Sequence, residues 1–153
     1  MSQIGVLNNA LRVRGKLNSV ICHVKFLRQC LSSCVAPKGI QARVRKAKVY
    51  HSVKIEKAFL RDEIGKVQQS LDSLRRTFSQ ELRRIQTFLT PCDFVRFARL
   101  IGECDEKQRK GRTERNERNL AVLRKRRFGS FAVCYDTIYN LSDEEFSNIQ
   151  KDA

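Results

Sequence analysis

The chain has 153 residues, room for one ordinary domain, and its two Pro and seven Gly are too few turn formers for a many-stranded sandwich or barrel. Thirty-one Lys/Arg against sixteen Asp/Glu give a formal charge of +15, a field that raises the local concentration of polyanions and favours phosphate contacts through counterion release. No apolar run approaches the roughly eighteen residues of a membrane span.

The charge is uneven along the chain. Residues 1–55 carry eleven Lys/Arg and no acid, the first acid being Glu56, whereas residues 136–152 carry five acids and one base. This pattern reads as a nucleic-acid footprint, with an anionic membrane surface or an acidic protein as the runner-up. The segment from Met1 to Ala10 lacks the basic start and apolar core of a signal peptide. The six Cys are therefore expected as free thiols in a reducing compartment, nuclear or cytoplasmic.

The first predicted helix lies between Ile4 and Cys34. Leu17, Val20, Ile21, Val24, Leu27 and Leu31 recur at three- and four-residue steps, the period of one helix face. Gly15 marks a potential break into two helices. Val35-Ala36-Pro37-Lys38-Gly39 ends the segment, because the residue before Pro is pushed out of helical angles and Gly tolerates left-handed ones.

A long second helix is expected from near Ile40 or Val44. Leu60, Ile64, Val67, Leu71, Leu74 and Phe78 form a heptad seam that Ile85 and Phe88 extend and Glu81 interrupts. Such a seam must be buried, either in an intramolecular hairpin, which the interrupted register favours, or in a homodimer from Leu60 to Phe88. Thr90-Pro91-Cys92-Asp93 then reads as a helix start, with Thr90 as N-cap and Pro91 in the first position. Phe94, Phe97, Ala98 and Ile101 are expected on the inner face of this third helix.

From Asp105 to Asn119 apolar residues vanish, and residues 105–127 read as a charged, solvated helix or a linker. The sequence thus divides into a basic helical region over 1–104, this charged stretch, and an acidic tail over 128–153. In the tail, Ser142 with Glu145 has the spacing of a capping box and predicts a short helix. The expected fold is all-α, long helices forming a hairpin or coiled-coil-like bundle with a loosely attached C-terminal tail.

No constellation of catalytic residues stands out, and no cofactor is implied. There is no Gly-rich phosphate loop, no nucleophile elbow and no His-rich metal motif. Cys22, His23, Cys30 and Cys34 are the candidate zinc ligands, and an enzyme reading would need a metal there. Cys as a small apolar core residue is the better account, also for Cys92, Cys104 and Cys134. Adjacent acids such as Asp62-Glu63 and Asp105-Glu106 have ordinary surface explanations.

Two basic clusters carry the functional expectation. Lys38, Arg43, Arg45, Lys46 and Lys48 form the first, and Arg124, Lys125, Arg126 and Arg127 the second. Both offer forked or point-charge donors to phosphate. Arg12 and Arg14 come next, and Arg83 and Arg84 flank the heptad seam.

Lys16-Leu17, then Phe26-Leu27-Arg28-Gln29-Cys30, then Pro37-Lys38-Gly39 with a basic stretch after it, resembles the opening of Penelope-like retroelement polyproteins. Tyr139-Asn140-Leu141-Ser142, with acids following, resembles the phrase that leads into the reverse transcriptase domain in that family. The resemblance implies a non-catalytic accessory region upstream of a polymerase, helping to hold template RNA or target DNA. The family's paired polymerase aspartates and downstream endonuclease have no counterpart in these residues.

Overall fold

The computed structural model describes residues 3–129. They fold as four helices, α1 (Gln3–Ser32), α2 (Lys38–Lys46), α3 (Val53–Gln86) and α4 (Pro91–Phe128), with no strand among the described residues. The all-α expectation therefore holds. The tail from 130 onward, including the Ser142 capping box, lies outside the described residues.

Helix α1 is the axis of the bundle. Its first half places Ala10 and Val13 in a cluster with Phe78, Ile85, Phe97 and Ile101. Its second half places Leu27 and Cys30 with Leu60, Ile40 and Leu120. Early α1 thus meets late α3 and early α4, so α3 runs antiparallel to α1 and α4 runs parallel to it. Contact between α3 and α4 themselves is slight. Ala10, Val13, Leu17, Val24 and Leu27 are buried on one stripe of heptad spacing, and Asn18 and Cys22 are buried off that stripe, as a helix flanked on two sides requires. Gly15 does not break α1; packing on both flanks outweighs its cost of about 1 kcal/mol relative to Ala.

The turn after α1 uses a different residue from the one expected. Cys34 takes the left-handed conformation at φ 56°, and Val35 N–H bonds back to Cys30 O at 3.1 Å while Cys34 N–H bonds to Leu31 O at 3.3 Å. These bonds satisfy carbonyls that the helix end leaves open. Val35 then packs into the same cluster as Cys30. Gly39 lies inside α2, which starts directly after Pro37.

Between residues 46 and 53 the chain breaks a helix that the sequence reading ran through. Lys48 adopts φ 54° after α2, and Ser52 Oγ accepts from Ile55 N at 3.2 Å to start α3. Helix α2 folds back onto α3 by burying Ile40 and Val44. Arg43 fixes it there through Glu63 at 2.7 Å and Asp62 at 3.3 Å, with its guanidinium 5.5 Å from the centre of the Phe59 ring.

Along α3, Leu60, Leu71, Phe78 and Ile85 are buried and Ile64, Val67 and Leu74 half-buried, against α1, and Phe88 in the turn after it is half-buried too. The heptad seam is consumed within the chain. Glu81, which interrupts it, is buried with them. At the next turn Thr90 Oγ1 accepts from Asp93 N at 3.2 Å and Pro91 opens α4, as the sequence reading expects. Phe97 and Ile101 face inward, but Ala98 is exposed.

Helix α4 runs unbroken through the boundary drawn at 104/105. Asp105 is itself buried, and the stretch without apolar residues packs on α1 through polar side chains. Arg14 and Asn18 bond to Asp105, Asn18 also donates to Gln108, Arg109 donates to Asn18, and Asn116 donates to Cys22 O. The charged stretch is therefore a helix with a polar inner face. A hydrophobicity pattern cannot reveal such a face.

Candidate nucleic-acid interface

Folding brings the two basic clusters to one end of the bundle. Lys38, the first residue of α2, and Arg126 and Arg127, near the end of α4, line a single cavity of about 330 Å³. A second cavity of about 330 Å³ shares Lys38 and Arg126. The position follows from topology: α4 runs parallel to α1, so its basic last turn arrives where α1 ends and α2 begins. Lys125, Arg126 and Arg127 also complement the negative end of the α4 macrodipole.

Helix α2 starts with no side-chain cap and no acid in its first turn. Its leading N–H groups therefore add to the positive field at the cavity. Glu56 is the acid in the lining, and it is 2% exposed. His51 Nε2 approaches its Oε2 at 2.7 Å, and Arg127 donates to its Oε1. Glu56 thus locks the start of α3 to the end of α4 and is already engaged on both oxygens.

The nine cluster residues divide by what they touch. Arg43 is held by Asp62 and Glu63, Arg124 donates to Ser33 Oγ at 2.6 Å, and Arg127 is held by Glu56. These three maintain the fold. Lys66 first, and Arg43 after it, hold the Asp62 carboxyl below the ordinary carboxylate range. Lys38, Arg45, Lys46, Lys48, Lys125 and Arg126 are exposed to solvent.

The second-tier cations divide the same way. Arg14 is bound to Asp105 at 2.7 Å and stands 5.0 Å from the Phe78 ring centre, and Arg84 reaches Glu81 at 3.3 Å. Arg12 is exposed and donates to Asn9. Arg83 shares a shallow hollow on the outer face of α3 with Arg75 and Arg76, two residues the sequence reading did not single out. Sequence reasoning also missed Tyr50, whose only signal is its place between Lys48 and Lys54 in a segment lacking acids.

The described cysteines are not grouped as metal ligands. Cys30 is buried in the apolar cluster, and burial pushes its thiol up to about 12 against a weaker pull from Arg124. Among the described residues no three His, Cys, Asp or Glu side chains are grouped as metal ligands. No helix among them is long and apolar enough to cross a membrane.

Fold and site together define a basic all-α bundle with a cationic end. The chain matches no protein-family model, no curated protein and no solved structure.

Proposed function

We propose that the protein is a non-catalytic, sequence-tolerant nucleic-acid-binding module whose phosphate contacts come from the bundle end shared by α2 and α4. One observation carries the reading: Lys38 and Arg126, from clusters far apart in sequence, line the same cavity. Lys125, Arg45, Lys46 and Lys48 add exposed charge on the same two helical segments and the turn after α2. Such contacts position a backbone without specifying bases. The retroelement resemblance fits this role as an accessory region beside a reverse transcriptase, acting in the nucleus or cytoplasm on RNA or DNA.

The rival reading, a coiled-coil interaction protein dimerising from Leu60 to Phe88, draws no support from the fold. Its seam is covered by α1 of the same chain.

The test is binding to labelled single-stranded RNA and duplex DNA across a salt series. Wild type is compared with a Lys38→Ala/Lys125→Ala/Arg126→Ala variant and with a charge-matched Arg99→Ala/Lys107→Ala/Arg118→Ala control on α4. Each lost phosphate contact reduces the slope of log affinity on log salt by roughly 0.7–0.9. A shallower slope in the first variant than in the control supports the site. Absent or salt-insensitive binding by wild type overturns the proposal.

A further inference from the structure

We infer that the ligand of this basic end is single-stranded nucleic acid, with an unpaired base stacked on the ring of Tyr50. The inference rests on the nucleic-acid reading above and adds a ligand class and a contact residue to it.

Tyr50 is 86% exposed, the most exposed of the large apolar side chains among the described residues. Val49 and Val53 beside it are exposed as well, so the tip between α2 and α3 presents apolar surface to water. Folding gains nothing from displaying an aromatic ring there, and such patches mark contact sites. The backbone on either side of Tyr50 is fixed. On one side Lys48 turns the chain through the left-handed region. On the other, His51 is anchored on the buried Glu56 and Ser52 caps α3.

The surroundings of the ring identify the ligand. Lys46, Lys48 and Lys54 flank it, all exposed. Lys54 lies in the first turn of α3 and Lys38 opens α2, both at helix ends where the macrodipole disfavours a cation. An anion bound at either helix start relieves that cost. His51, the next residue after Tyr50, lines the cavity with Lys38 and Arg126. Tyr50 itself lies outside that lining, but its chain position places an exposed aromatic next to the rim of the cationic hollow. An aromatic beside a cationic groove is the pairing that single-strand binders use. A duplex keeps its base faces stacked on one another and offers this ring nothing. Three apolar side chains at a tip are too small an area for stable membrane insertion, so the same chemistry fits a strand better than a lipid surface.

The test uses the full chain, with Tyr50→Ala, Tyr50→Phe and Tyr50→Trp, against a twelve-nucleotide poly-uridine strand and a duplex of equal length. Tyr50→Ala should weaken the strand roughly tenfold or more, leaving duplex affinity and the salt slope unchanged. Tyr50→Phe should bind the strand like wild type. The chain has no Trp, so Tyr50→Trp gives a single emission that the strand should quench and the duplex should not. Equal strand affinity in wild type and Tyr50→Ala, with steep salt dependence in both, overturns this inference and leaves the nucleic-acid reading intact. No binding of strand or duplex by wild type overturns both. Tyr50-dependent retention on phosphatidylserine vesicles, with no strand preference, also overturns it in favour of a membrane surface.

Discussion

Asn18 donates to Asp105 at 2.6 Å across 87 positions of sequence, and Asn18 is fully buried where it does so. With Arg14 on the same carboxylate, this pair fixes the axial register of α1 and α4 where α4 carries no apolar residues. Removing the carboxylate leaves the half-buried Arg14 guanidinium without its acceptor and the buried Asn18 amide with Gln108 alone. Asp105→Ala should therefore lower stability by about 2–4 kcal/mol, read as a shift in the urea unfolding midpoint by circular dichroism. Pairing Asp105→Leu with Arg14→Met should recover much of the loss, because the stranded charge is what costs. An unchanged midpoint in Asp105→Ala would remove the polar seam from the account of α4 docking.

The same carboxylate gives the bundle an acid limit. Burial pulls the Asp105 pKa upward, but hydrogen bonds from Arg14 and Asn18 and the charges of Arg14 and Arg109 outweigh it, and the net shift is downward. A group whose folded pKa is depressed contributes stability above its unfolded value of about 3.9, and loses it as pH falls through the folded value. Unfolding midpoints measured from pH 7 to pH 2.5 should thus fall below about pH 4. The fall should be shallower in Asp105→Asn, which lacks this titration. Parallel acid limbs in the two proteins would contradict the assignment.

Glu81 illustrates the opposite case. It occupies a seam position of α3, is 6% exposed, and its Oε2 has no hydrogen-bond partner while Oε1 meets Arg84. A leucine there would continue the seam set by Phe78 and Ile85. Glu81→Leu should raise stability by about 1–3 kcal/mol, visible as a higher melting temperature. A lower one would show that the carboxylate has a partner this account lacks.

What the sequence disclosed followed from periodicity and caps. Leu60, Leu71 and Phe78 announced α3 by their spacing, and Thr90-Pro91 announced α4 by its chemistry. The break at Lys48 had no Gly or Pro to mark it, because a lysine took the left-handed position. The helix through 105–119 was ambiguous because Asn18, Asp105 and Asn116 pack by hydrogen bonds, which leave no hydrophobic period. For the basic clusters, composition picked out residues that the fold brings to one end of the bundle. It could not tell Arg126, which faces water, from Arg127, which is held by an acid 71 positions away. Pairing across that distance is a property of the fold alone.

Thiol chemistry separates the cysteines by environment. Cys92 and Cys104 are exposed, whereas Cys22 and Cys30 are buried and the Cys30 thiol stays protonated with a pKa near 12. A protonated, inaccessible thiol is a poor nucleophile. Iodoacetamide at pH 8 followed by peptide mass analysis should modify Cys92 and Cys104 within the native protein, and Cys30 only after unfolding in urea. Early modification of Cys30 would mean that the cluster around Leu27, Val35 and Leu60 opens readily.

Neighbouring arginines at the end of α4 should separate stability from binding. Arg127 neutralises Glu56, which is 2% exposed, and its loss leaves that buried carboxylate with His51 alone. Arg127→Ala should cost about 2–4 kcal/mol of stability. Arg126 is exposed in the cavity lining, and Arg126→Ala should change stability by less than about 0.5 kcal/mol while flattening the salt dependence of nucleic-acid binding. Urea unfolding and a salt series on both variants give the crossed comparison. If Arg126→Ala destabilises the fold as much as Arg127→Ala, the cavity is part of the core and loses its place as a ligand surface. If neither affects binding, the phosphate contacts lie elsewhere, and the α3 hollow of Arg75, Arg76 and Arg83 becomes the next surface to neutralise.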